Sequence, residues 1–279
     1  MAKAAFLGTG LLGSGMVEAM LARGDTVVVW NRSLEKLAPL VARGARPAES
    51  PAEAVEGVTR VHLCLSDDAA VDQVLAATGD RLVGIPVLDH TTVSPAGVVE
   101  RAARLDAAGI PYQPAPVFMG PQNARENTGI MLASGPRSRF DSVQPYLAPM
   151  TGDLRWLGER IDLAAAYKLF GNAVFISMVG VLADIFQIAR GAGLPETAPL
   201  EVIRMINPAA ALGGRGARMA RGEFSPATFE MAMARKDVRL MLETAADRPM
   251  QVLPGIAAAM DRLIASGEGH LDMGVLGRP

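Results

Sequence analysis

Short apolar or β-branched runs alternate with segments of helical period through the first half of the chain. Residues 4–7, 26–30, 58–65, 85–89 and 112–117 read as strands, and Leu12, Met16 and Met20 recur at helical spacing between the first two. This alternation predicts βαβ units and a parallel sheet. Ser50-Pro51-Ala52-Glu53 offers a capping hydroxyl, a proline at the first helical position and a capping-box glutamate, and Ser94-Pro95 repeats the first two. Strands at 130–133 and 154–157, around a helix near 138–147, are expected to extend the sheet.

After Gly158 the strand-like runs stop, which places a domain boundary near residue 160 and divides the chain into 1–160 and 161–279. Residues 161–192 hold no proline and are apolar around most of a helical circumference. That span exceeds the usual 8 to 20 residues of a globular helix. A helix apolar on most sides is buried on several of them, so it is expected to join the domains and meet a second subunit. Further helices are expected at 200–206, 229–246 and 254–266, giving an all-α second domain.

Composition narrows the partners. Half of the residues are apolar, 20% are charged and the net charge is −2, which excludes a disordered chain. The near-neutral balance argues against nucleic acid, whose binding surfaces are basic with interleaved rings, and favours a small molecule. Cys64 is the single cysteine, so no internal disulfide forms and a reducing, cytoplasmic location is expected. Glycines at 8, 10, 13 and 15 interrupt any apolar export signal, and the apolar run 173–183 falls short of the ~18 residues of a membrane span. Neither export nor a membrane partner is expected.

Gly8-Thr9-Gly10-Leu11-Leu12-Gly13 lies between the first strand and the first helix. There the first glycine suits a tight turn, the second admits a pyrophosphate to the backbone, and the third allows close helix packing. The second strand ends at Trp30-Asn31-Arg32-Ser33, where a dinucleotide-binding domain meets the adenosine ribose. No carboxylate stands there for a 2′-hydroxyl, whereas Arg32 can pair with a 2′-phosphate and Asn31 and Ser33 can hydrogen-bond it. NADP(H) is therefore expected in preference to NAD(H).

Together with Ser14-Gly15-Met16, Ala115-Pro116-Val117 and Lys168-x-x-x-Asn172, these segments resemble the β-hydroxyacid dehydrogenase family across essentially the whole chain. The family includes 3-hydroxyisobutyrate dehydrogenase and the glyoxylate and succinic semialdehyde reductases. The resemblance implies a Rossmann-type doubly wound α/β domain, a long interdomain helix, an all-α C-terminal domain and a homodimer or homotetramer. It also implies that Lys168 protonates the nascent alkoxide during hydride transfer, and that Asn172 orients the substrate. Four residues apart on a helix, these two side chains share a face. Their apolar neighbours lower a lysine pKa toward the range useful for proton transfer. Thr92, in the Asp89-His90-Thr91-Thr92 segment that ends the expected strand 85–89, matches the family position near nicotinamide and substrate. Leu65 joins the cofactor set, and Lys236-Asp237 resembles the pair that closes over cofactor and substrate.

The chain departs from the family at Pro114-Ala115-Pro116-Val117-Phe118-Met119-Gly120, where many relatives carry Ser-Gly at the positions of Phe118 and Met119. Phe118 stands where a serine would help bind a substrate carboxylate, while Gly120 keeps a backbone contact and Gln122 and Asn123 offer polar groups. A bulkier or more apolar carbonyl compound is the expectation. His62, His90 and His270 lack close spacing in sequence, and no metal site is expected. His62 and Cys64 alternate with Val61, Leu63 and Leu65, which points to packing roles. Three readings follow: an NADP(H)-dependent oxidoreductase of a 3-hydroxy acid, semialdehyde or related small carbonyl; an imine reductase of the same architecture; or a non-catalytic NADPH-binding regulatory protein. Lys168 favours the first, because an iminium does not require alkoxide protonation.

Overall fold

The computed structural model describes residues 3–278, and the chain divides after Asn172 into two compact units. The first contains β1 (Lys3–Leu7), α1 (Leu11–Ala22), β2 (Thr26–Trp30), α2 (Ala38–Val41), β3 (Arg46–Pro47), α3 (Pro51–Ala54) and β4 (Arg60–Leu63). It continues through α4 (Asp68–Ala77), β5 (Val87–Asp89), α5 (Pro95–Ala107), β6 (Tyr112–Pro114), β7 (Val117–Phe118), α6 (Pro121–Glu126), β8 (Ile130–Ala133), α7 (Arg137–Leu147) and β9 (Asp153–Trp156). The strands β3-β2-β1-β4-β5-β6 form one parallel sheet in that order. Chain order reverses between β1 and β4, the switch point at which open α/β sheets bind ligands. The two faces are covered by separate apolar clusters, one around Val61, Leu63 and Tyr112, the other around Phe6, Met16 and Met131. Local chemistry starts the helices as expected: Ser50 and Ser94 hydroxyls accept from the N–H groups of Glu53 and Gly97.

Two expectations about the sheet are corrected. The run 112–117 is two strands, and β7-β8-β9 form a sheet of their own instead of extending the first. The switch falls at Ala115-Pro116. The Ala115 N–H still bonds the Asp89 carbonyl at 2.7 Å, whereas Pro116 has no N–H to continue that ladder and its carbonyl takes Leu132 N–H at 2.9 Å. Val117 then pairs with Met131. This brings Phe118 to the start of the loop that leads into α6. Gly15 seats α1 on α6, since a Cβ there would lie 2.8 Å from the Pro121 carbonyl oxygen.

The long helix α8 (Leu163–Gly191) continues from the first unit into the second. The second unit also holds α9 (Ala198–Met205), α10 (Pro208–Ala220), α11 (Met231–Ala245) and α12 (Leu253–Ala265). Its core gathers Phe224, Met231, Val238, Met260 and Val275. The helix α10 carries Gly213, Gly214 and Gly216, poor helix formers, which is why its pattern escapes a reading by propensity. Two buried carboxylates organise the loops. Asp184 accepts the N–H groups of Gln251, Val252 and Leu253 at the start of α12, and Asp272 binds Thr228, Gly274 and Arg215.

The expected burial of α8 on several sides is corrected within the single chain. Phe170, Phe175, Ile176 and Val179 are 64%, 64%, 72% and 68% exposed. By length and composition α8 is also able to cross a membrane, although the apolar run 173–183 alone is too short. Asp184 gives part of its circumference a polar, protein-bound character that lipid does not supply.

Candidate functional site

The glycine turn is built as its spacing requires. Gly8 has φ +100°, and a Cβ on it would lie 2.3 Å from the Cys64 carbonyl oxygen; one on Gly13 would lie 2.1 Å from the Gly8 oxygen. Gly10, by contrast, faces open space, which is the side a phosphate needs to approach the N-terminus of α1. The turn forms one end of a cleft of about 710 Å³. Gly8, Gly10, Leu11, Leu12, Gly13, Asn31, Arg32, Ser33, Leu65 and Thr92, all expected to bind cofactor, line it together. Thr9 lies behind them, buried. Its N–H donates to Asn31 Oδ1 at 3.1 Å while Asn31 Nδ2 donates to the Ser33 carbonyl, so Asn31 also braces the turn. The open cradle at Gly10, the helix N-terminus and the exposed cation Arg32 fit a dinucleotide phosphate backbone. Lys36 joins Arg32 at the cleft; in the sequence it is marked only as a second cation four residues on, without an apolar role.

The opposite wall rests on a buried polar chain. Arg101, with a fully buried side chain, binds Asp68 and Asp72 and donates to the Tyr112 hydroxyl at 3.3 Å. Tyr112 donates to Asp89 Oδ2 at 2.7 Å, and Asp89 Oδ1 takes the Thr91 N–H at 2.9 Å. The Thr91 hydroxyl oxygen then accepts the Leu65 N–H at 3.1 Å at the cleft. Burial raises the Asp89 carboxyl and the Tyr112 hydroxyl above their ordinary values. Beside this chain, His62 Nδ1 and His90 Nε2 are 3.0 Å apart, with Arg60 Nε–H donating to His62 and His90 Nδ1 meeting the Ala115 carbonyl. The sequence spacing gave no sign of this pairing, which forms because β4 and β5 are neighbours. Burial pushes His90 down to about 4 and His62 well below its usual range, so both rings stay neutral at pH 7. Burial likewise pushes the Cys64 thiol up to about 12, leaving it protonated.

Lys168 and Asn172 stand one turn apart on α8, apart from the residues that line the cleft. The Lys168 ammonium lies 4.4 Å from the centre of the Phe118 ring. Lys168 is half-buried, and burial lowers its pKa from the ordinary value. Met119 is half-buried. The polar groups expected to help with a carboxylate are engaged within their own loop: Gly120 N–H donates to Asn123 Oδ1 at 3.0 Å, Asn123 Nδ2 to Thr128, and Gln122 to Glu126. Lys236 stands on α11 in the second unit, ion-paired with Asp237 at 2.8 Å.

A parallel doubly wound sheet with this glycine turn defines a dinucleotide-binding domain. Residues 3–158 match the family described as the NAD binding domain of 6-phosphogluconate dehydrogenase, so the chain belongs to that family of NAD(P)-binding oxidoreductases. Human "Cytokine-like nuclear factor N-PAC" is 30% identical over 245 residues, 86% of this chain and 44% of that protein; the chain thus spans less than half of this relative. "Uncharacterized oxidoreductase YfjR" of Bacillus subtilis is 28% identical over 98% of both chains. Among solved structures, a reductive aminase from Aspergillus terreus in complex with cyclohexanone and allyl amine aligns at TM-score 0.87 and 24% identity, covering 99% and 98% of the two chains. An imine reductase from Pseudomonas sp. aligns at TM-score 0.88 and 22% identity over the same shares. These two likenesses establish the fold.

Proposed function

We propose that this chain is an NADP(H)-dependent oxidoreductase acting on a semialdehyde, 3-hydroxy acid or related small carbonyl compound. The observation that carries the reading is Lys168: a half-buried ammonium, its pKa lowered by burial, with an amide side chain one helical turn away. A bound reduced nicotinamide supplies hydride to the substrate carbon. Lys168 gives its Nζ proton to the carbonyl oxygen as charge develops there, and retrieves it in the oxidative direction. Asn172 orients the substrate. The glycine turn and the start of α1 hold the pyrophosphate, and Arg32 with Lys36 pairs the adenosine 2′-phosphate.

One observation favours imine reduction as the second reading. An aromatic face that accommodates an ammonium at 4.4 Å also accommodates an iminium. NADPH oxidation against a panel of semialdehydes, ketones and cyclic imines separates the two. Turnover confined to the carbonyl arm supports the first reading and turnover confined to imines the second. Tight NADPH binding with neither activity supports the non-catalytic regulatory reading.

Cofactor choice has its own test. NADPH should bind more tightly than NADH, and Arg32→Ala or Lys36→Ala should narrow the difference, measured by fluorescence titration. Equal affinities in the unaltered protein would remove the 2′-phosphate assignment.

The exposed apolar side of α8 supports a homodimer or homotetramer, since a contiguous patch of this kind on a soluble chain marks an interface. Light scattering at low micromolar concentration should give at least twice the mass of one chain, and a monomer would overturn it.

A further inference from the structure

We infer that Phe118 is a positioning residue for Lys168: its ring is the platform on which the ammonium rests, and Gly171 is the slot that admits the ring against α8. Two independent observations meet here. The Lys168 Nζ stands 4.4 Å from the ring centre, within the range over which the negative face of an aromatic ring attracts a cation. One turn of the same helix further on, a Cβ built on Gly171 would lie 2.3 Å from Phe118 Cζ and 2.4 Å from Cε1, so no other residue type leaves the ring where it is. Gly171 has a helical backbone, with no positive φ to demand glycine. The missing side chain is therefore explained by the ring it makes room for. The backbone that carries the ring is fixed, because Phe118 pairs with Ile130 in the β7-β8 ladder and Gly129, at φ +85°, lets the Phe118 carbonyl pass close by.

The consequence for Lys168 is a balance of two effects. Half-burial disfavours the charged form and lowers its pKa, and no charged side chain adds to that shift. The quadrupole of the ring opposes burial, because it attracts only the protonated amine. A lysine held in this way keeps its proton until a substrate oxygen takes it. An apolar ring beside the proton donor also leaves no hydroxyl there for a substrate carboxylate. The catalytic meaning of the contact rests on the proton-donor role proposed above, whereas the contact itself does not.

The test uses the full chain, which has only four lysines: Lys3, Lys36, Lys168 and Lys236. With ¹³C-lysine incorporated, the Lys168 Cε resonance is assigned by its loss in Lys168→Arg and titrated against pH. Phe118→Leu keeps an apolar side chain but removes the quadrupole, and should lower the Lys168 pKa by about half to one and a half units. Gly171→Ala favours the helix, so folding survives, but it displaces the ring and should lower the same pKa although Phe118 is still present. An unchanged or raised pKa in both variants would overturn the inference. In Phe118→Leu, the alkaline limb of the reduction rate should move down with the NMR titration. A shifted titration with an unmoved limb would sink the proton-donor role while leaving the ring contact standing.

Discussion

Replacing Lys168 with alanine should slow NADPH-dependent reduction by about 10²- to 10⁴-fold, the usual contribution of a positioned general acid. The measurement is single-turnover NADPH oxidation with cofactor saturating, so that binding and product release drop out. Cofactor affinity should change little, because the cleft is lined by the glycine turn, the end of β2 and the Leu65 and Thr92 segments, none of which needs Lys168. Lys168→Arg should restore little, since a guanidinium keeps its charge but does not give up its proton. The pH dependence has a fixed sign. A general acid must be protonated, so the rate falls as pH rises through its pKa. Burial lowers that value, so the fall comes at lower pH than for a free lysine. Equal rates in Lys168→Ala and the unaltered protein would remove this residue from the chemistry.

Arg101→Met should destabilise the protein by about 2–4 kcal/mol, somewhat below the cost of breaking a fully buried pair because Asp68 and Asp72 reach water. The methionine fills most of the volume but leaves Asp68 without its cation, Asp72 with only the exposed Arg104, and Tyr112 without one donor. Urea unfolding at constant slope reads the loss directly. Burial alone would raise Asp68 and Asp72, but hydrogen bonds from the Ser94 N–H to Asp68, from Arg101 to both and from Arg104 to Asp72 win, and both pKa values lie below normal. Stability from a depressed carboxyl is present above its unfolded value of about 4 and is lost as pH falls through the folded value. Arg101→Met should therefore also flatten the acid side of the stability profile. A loss below about 1 kcal/mol, within the range of an exposed ion pair, would show that the network contributes little. The variant should weaken NADPH binding too, since the chain from Arg101 through Tyr112, Asp89 and Thr91 ends on the Leu65 N–H at the cleft.

The shared helix face of Lys168 and Asn172 was legible from spacing, because i and i+4 meet on one side wherever the helix lies, whereas their proposed roles came from the family resemblance. The glycine turn was legible for a similar reason. Its function depends on backbone conformation over six neighbouring residues, and Gly8 and Gly13 are the positions where a Cβ would collide. Arg101 was not legible. It sits on a helix as an ordinary polar residue, and only the packing of α5 against α4 and β6 surrounds it with Asp68, Asp72 and Tyr112.

The sequence by itself determined the alternation of strands and helices, the glycine turn, the absence of a ribose carboxylate beside Arg32, and the change to one long apolar helix near residue 160. Each of these is set by neighbours within a few turns, through periodicity, caps and side-chain volume. Only the tertiary structure decided that Pro116 divides one expected strand between two sheets, and that His62 and His90, 28 residues apart, share a hydrogen bond. It also decided that the apolar sides of α8 stay exposed in a single chain, and that Phe118 occupies the space Gly171 leaves beside Lys168. These depend on which distant segments meet, and the free energy that selects the meeting comes from burial and hydrogen-bond satisfaction summed over the whole unit, which no short window of residues encodes.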